Sequence, residues 1–204
     1  MTAKLPAPAR LENDVVRLEP LTMDHVPDLF AAGGGDEELW RWLPVSAPHT
    51  EAELGKIARK LIDDDVHVPH AVVLKDGGRA VGWSTYGDVP GFEASVEIGW
   101  TWYGRAVWRT AVNTSCKLLL IDHAFALGHN RVLLKTDNLN HRSQEAIRRI
   151  GGVHEGTLRR HRRRGDGTWR DTVCFGILDE EWPPHRARLA ARLEARLGPR
   201  PGGS

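Results

Sequence analysis

The sequence predicts a single α/β domain in which a mixed central sheet is flanked by helices, with a C-terminal helix rich in Arg, Ala and Leu. Three observations lead there. Hydrophobic residues make up 41% of the 204 positions, enough for one well-formed core, and no apolar run approaches the roughly 18 residues of a membrane span. Strand-like segments come in pairs joined by Gly-containing turns, the mark of antiparallel hairpins. Between them lie helical segments long enough to make parallel crossovers. With no internal repeat and no linker before about residue 183, the domain is expected to cover 11–182, leaving 183–204 as a C-terminal helix and flexible tail.

Val15 to Leu18 reads as the first strand. Thr22 is placed to cap a short helix carrying Val26, Leu29 and Phe30, stopped by Gly33, Gly34 and Gly35. A second short helix holds Trp40 and Trp42 before Pro44. Thr50 and Glu53 form a capping box, followed by Leu54, Ile57, Ala58, Leu61 and Ile62 at helical spacing. Ala71–Leu74 and Ala80–Tyr86 flank Asp76-Gly77-Gly78 as a hairpin. Ala94–Trp102 is the next strand, and Gly99 inside it suggests a bulge or a close backbone approach. Thr110–Leu127 is helical and closed by Gly128. A strand over Arg131–Lys135 and a helix over Arg142–Ile150 follow. Val153–Arg160 and Thr168–Ile177 form a second hairpin around Gly165-Asp166-Gly167. The last helix follows Pro183-Pro184.

Net charge is only +1, but residues 1–102 carry −8 and residues 103–204 carry +9. Such asymmetry suits an anionic partner for the second half, or two solvated faces that neutralise each other. Cys116 and Cys174 are the only cysteines, so no disulfide framework is expected and a cytoplasmic setting is. The N-terminus has no apolar run of the kind a secretory signal needs. Ten histidines are present, yet without an H-x-x-x-H or C-x-x-C pair no metal site is expected.

The strand-to-helix passage over residues 97–120 is the most informative. A helix beginning near Arg109 presents free backbone N–H groups and a positive dipole end, which suit a phosphate or pyrophosphate, and Arg105 and Arg109 add charge beside it. An ordinary helix start fits the same local pattern.

Four segments, EIGWTW, WRTAVNTSCKLLLIDHAF, LKTDNLNHRSQEAIRRIGGVHEGTLR and GTWRDTVCFGILDEEW, together resemble the GNAT acetyltransferase superfamily. The resemblance is closest to the branch of ribosomal-protein N-terminal alanine and serine acetyltransferases and runs from about Leu11 to Trp182. It implies a GNAT-like fold, acetyl-CoA as acetyl donor and a primary amine as acceptor, on a protein N-terminus or a small molecule. The family's pyrophosphate loop has glycines where this chain has Ala111 and Arg109, with Trp108 at the first position and Asn113 at the last. The resemblance assigns Trp100 and Trp102 to the cofactor strand. It assigns Trp108, Arg109, Thr110, Ala111, Val112, Asn113 and Thr114 to the pyrophosphate loop, and Asn140 to the pantetheine arm.

For the chemistry, Glu97 is the candidate general base and Ser143 the candidate donor to the departing thiolate. His70 and Asp88 are weaker bases, and a water chain would also serve. Asn140 and Ser143 equally fit an N-cap and a first-turn residue. Trp40 and Trp42 are candidates for the acceptor pocket or for core anchors. The run Arg159–Arg164 on the second hairpin suits rRNA, an acidic protein, the cofactor phosphates or a solvated tip. Arg186, Arg188, Arg192 and Arg196 fit a surface helix or the edge of a homodimer equally well. A non-catalytic coenzyme A-binding or ribosome-interacting protein is the competing reading. An RNA-binding module is disfavoured by the near-neutral charge. No G-x-S-x-G or similar nucleophile motif is present, so direct attack without an acyl-enzyme is expected.

Overall fold

Eight segments of the chain pair laterally as strands. A computed structural model describes residues 5–87, 93–164 and 166–198. The strands are β1 (Leu11–Glu12), β2 (Val16–Pro20), β3 (His67–Leu74), β4 (Ala80–Gly87), β5 (Ser95–Tyr103), β6 (Arg131–Asp137), β7 (Val153–Arg163) and β8 (Trp169–Leu178). They form one sheet in the order β1-β2-β3-β4-β5-β6-β8-β7. The pairs are antiparallel except β5 with β6, which run parallel because the crossover helix α4 (Val112–Ala126) joins them. The remaining α-helices are α1 (Val26–Gly33), α2 (Glu37–Trp40), α3 (Glu51–Ile62), α5 (His141–Arg149) and α6 (Trp182–Leu197), with short 3₁₀ turns at Met23–His25 and Arg105–Val107.

Each face of the sheet has its own core. Val96, Ile98, Val132, Leu134, Phe175 and Ile177 pack beneath α4, α5 and α6. On the other face α1–α3 cover β3, β4 and the end of β5, around Trp40, Trp83 and Trp102. The three indole rings lie 5.0–5.7 Å apart. Tilted and edge-on contacts of this kind contribute roughly 0.5–1.5 kcal/mol each beyond area burial. The second core stops at β5. Leu133, Lys135 and Asp137 of β6 and Thr172 and Cys174 of β8, which share that face, belong to neither core.

The expected elements are present with shifted ends, except that the second short helix stops at Trp40 and leaves Trp42 outside it. The Thr50–Glu53 capping box forms, Thr50 Oγ1 accepting from the Glu53 N–H at 3.2 Å and Glu53 accepting from the Thr50 N–H at 3.2 Å. β3 starts four residues earlier than expected. Pro69 inside it lies beyond the last β2–β3 pair, Pro20 with His70, where a missing N–H is tolerated. α4 starts at Val112 rather than near Arg109, because Arg109 has a left-handed backbone (φ 60°) that no helix accepts. α6 starts at Trp182, and Trp182, Leu189 and Leu193 join the first core, so the helix packs as part of the domain. The expected tail from residue 199 onward lies outside the described residues.

Candidate active site

The bulge suggested by Gly99 is present. The β4–β5 register shifts between Trp83 and Thr85, and Trp100 takes a left-handed φ of 51°. A bulge bends its strand and increases its twist. β5 and β6 are in register only over Ser95–Glu97 and Arg131–Leu133, although β5 continues to Tyr103 and β6 to Asp137. Beyond Glu97 the sheet therefore opens between them, exposing strand edges with backbone donors and acceptors. The Gly99 carbonyl at the bulge accepts from Thr85 Oγ1 at 3.0 Å and Thr101 Oγ1 at 3.3 Å. Behind it, buried Lys117 of α4 donates to Thr101 Oγ1 at 3.0 Å, and burial pulls its ammonium down to about 8.

One register row crosses this opening: His67, Gly87, Glu97, Leu133 and Gly176 are successive cross-strand partners and so point to the same face. Glu97 pairs with Lys135 at 2.8 Å. The Trp102 ring of the same strand lies in the core at 4% exposure. The His67 ring N–H at Nδ1 donates to Asp64 at 2.7 Å, which leaves Nε2 as an acceptor when the ring is neutral. The His67 ring also stands edge-on to Trp100 at 6.0 Å. This Asp–His pair escaped the sequence reading because Pro69 hid the start of β3.

At the β6 end, Asn140 Oδ1 accepts the Ser143 N–H at 3.0 Å, so Asn140 is the N-cap of α5. Its amide NH₂ and the Ser143 hydroxyl remain for a ligand. The Asp137 carboxylate receives Arg164 Nε at 2.7 Å and Nη2 at 2.9 Å and the Leu139 N–H at 2.9 Å. Arg164 of the second hairpin thus clamps the loop that presents Asn140. Despite its burial, these bonds hold Asp137 below the usual carboxylate range.

Between β5 and α4, Trp108 Nε1 donates to the Tyr103 carbonyl at 2.6 Å, and Thr110 Oγ1 accepts the Val112 N–H at 3.3 Å. Ala111 has φ −72°, so a methyl in place of the family glycine costs the backbone nothing. The N–H groups of Asn113 and Thr114 stand in the open first turn, where a helix supplies no acceptor. Arg142 stacks on the Trp108 ring at 3.7 Å and Arg105 at 5.0 Å. Arg105 is tied to Asp36 and Glu38, while burial, with help from Arg105 and Arg109, lowers Arg142. Open N–H groups and arginines surround this turn, and the set fits a pyrophosphate.

Other expected residues lie elsewhere. Trp40 is 1% exposed, with Nε1 donating to the Gly33 carbonyl at 2.8 Å. It is a core anchor and lines no acceptor pocket. Trp42 is half-buried, stacked under Arg41 at 4.8 Å. His70 is fully buried, edge-on to Tyr86 in the interior, and cannot meet a substrate. Asp88 lies outside the described residues. Among the described residues no group of three His, Cys, Asp or Glu side chains is arranged to hold a metal ion, and no helix is long and apolar enough to cross a membrane.

An open parallel pair beside a helix start with free N–H groups suits a ligand that carries both amides and a pyrophosphate. The family model for the acetyltransferase (GNAT) domain matches residues 16–153, and the chain belongs to that family. It is an acetyl-CoA-dependent GNAT N-acetyltransferase. A GCN5-related N-acetyltransferase from Brucella melitensis is 30% identical with a TM-score of 0.90, over 100% of this chain and 94% of that one. A protein described as an acetyltransferase from T. thermophilus is 36% identical, with a TM-score of 0.84 over 94% and 100%. Mycobacterium smegmatis RimJ, solved with a coenzyme A disulfide, is 25% identical, with a TM-score of 0.72 over 95% and 96%. None of the curated proteins compared matches the chain.

Proposed function

We propose that the acceptor is a primary amine, on a protein N-terminus or a small molecule, that attacks the acetyl thioester directly, and that the opening between β5 and β6 is where it does so. The observation that carries this reading is the loss of register beyond Glu97, next to the open first turn of α4. Acetyl-CoA supplies the activated acetyl group. The backbone of β5 around Trp100 and Trp102 pairs with the pantetheine amides. The loop from Trp108 to Thr114, with its N–H groups and Arg109, holds the pyrophosphate. Asn140 offers its amide to the pantetheine arm.

Glu97 accepts the amine proton, directly or through water, and Ser143 donates to the thiolate. His67 is the second candidate for the base, since Asp64 fixes its tautomer and leaves Nε2 facing the same row. The free thiols of Cys116 and Cys174 support a cytoplasmic setting. The test is calorimetric titration with acetyl-CoA, followed by thiol release on adding a panel of amines. Binding with amine-dependent release is expected. Binding without release from any amine would make the chain a coenzyme A binder only.

A further inference from the structure

Charge on the helix-free face of β6, β8 and β7 does not cancel. Lys135 is neutralised by Glu97, Arg164 by Asp137 and Arg131 by Glu155. Arg170 of β8 and Arg162, its register partner on β7, have no carboxylate partner among the described residues. Arg170 is half-buried, and its Nε is fully buried with no hydrogen-bond partner. Burial depresses its guanidinium, with Arg162 and Arg164 adding to the effect and Asp137 and Glu97 opposing it.

Position makes this informative. Arg170 lies on the same face as Thr172, the partner of Asp137, at the end of β6 where the sheet has opened. Its charge is felt by His161 and Cys174, both of which also feel Lys135 and Glu97. A half-buried guanidinium whose Nε is shut off from water and unpaired, beside this opening, is completed by an anion. Its planar fork matches a carboxylate.

We infer that the acceptor carries a carboxylate near its amine, and that Arg170, seconded by Arg162, receives it while the amine faces Glu97. This rests on the amine-acceptor reading above. Two sources have this chemistry, an amino acid-like small molecule and a peptide with an acidic residue close to its N-terminus. A phosphate of the acetyl donor is the rival occupant, although Arg105, Arg109 and Arg142 already surround the helix start.

The probes are β-alanine against β-alaninamide, and serine–glutamate–alanine amide against serine–glutamine–alanine amide. Calorimetric binding to the enzyme–coenzyme A complex is measured beside kcat/KM. In at least one pair the carboxylate is expected to strengthen binding tenfold or more, and the pair showing it names the source. Arg170→Met should abolish that preference through KM, Arg170→Lys should restore part of it, and acetyl-CoA affinity should not move. Equal binding within both pairs overturns the inference, as does a loss of acetyl-CoA affinity in Arg170→Met. Should that variant not fold, Arg162→Gln should weaken the preference, and the wild-type comparison stands by itself. Binding discrimination without turnover would count against the transferase reading and leave the carboxylate subsite in place.

Discussion

His67 and Glu97 stand on either side of Gly87 in one register row, and a methyl group at residue 87 would touch both, the His67 Nε2 at 3.7 Å and the Glu97 Cβ at 3.8 Å. The glycine leaves a shared space between an imidazole oriented by Asp64 and a carboxylate steadied by Lys135. Glu97→Gln is expected to lower single-turnover acetyl transfer by about 10²–10⁴ with little change in acetyl-CoA affinity. His67→Asn is expected to cost less. An intact rate in Glu97→Gln, with the larger loss in His67→Asn, would move the base to His67.

Ser143→Ala should have a smaller effect than Glu97→Gln, because water replaces a hydroxyl donor more readily than a carboxylate base. The N-cap is made by the Ser143 backbone, so stability should hold. A thermal-melt shift equal to that of Asn140→Ala, which removes a cap contributing about 1 kcal/mol, would show instead that Ser143 is structural.

The pyrophosphate loop can be tested at two positions. Thr110→Pro removes the bond from Thr110 N–H to the Val107 carbonyl and pushes Arg109 out of its left-handed conformation. Acetyl-CoA affinity should fall sharply, and unchanged affinity would count against the site. Ala111→Gly should tighten binding or leave it unchanged, since φ at that residue is already negative.

Arg109 holds a conformation that costs a non-glycine residue roughly 1–2 kcal/mol. Arg109→Gly is expected to raise the denaturant midpoint by about 1 kcal/mol of stability while weakening acetyl-CoA binding. Loss of both would show that the arginine side chain packs more than it strains.

His70 gives a pH signature. Burial pulls its imidazole from 6.5 down to about 4. Between those values the unfolded chain holds a proton that the folded chain refuses, so stability rises with pH. On acidification from pH 7.5 to 5 this one residue should cost about 2 kcal/mol. Urea denaturation at both pH values should show that sensitivity largely removed in His70→Gln.

The sequence made the two hairpins, the Thr50–Glu53 box and the crossover helix legible, because turn chemistry and periodicity are local. Gly99 announced the bulge for the same reason. Arg109 carried no such signal, since its left-handed backbone is imposed by the chain around it, and the helix start was therefore placed three residues early. Pro69 made β3 look as if it began only at Ala71, which concealed His67. Trp40 and Trp42 are alike in sequence, and only the packing of α2 against Trp83 and Trp102 separates an anchor from a half-exposed ring.

The helix-free half of the second sheet face has an evolutionary consequence. Arg162 and His161 there are exposed, and Lys135 and Arg170 are half-buried outside both cores. Exchanging the exposed pair, Arg162 and His161, usually changes stability by within about 0.5 kcal/mol, far less than a change beneath α4. Where the acceptor docks on this wall as proposed, exchanges at those two positions alter what is accepted and leave the core beneath α4 untouched.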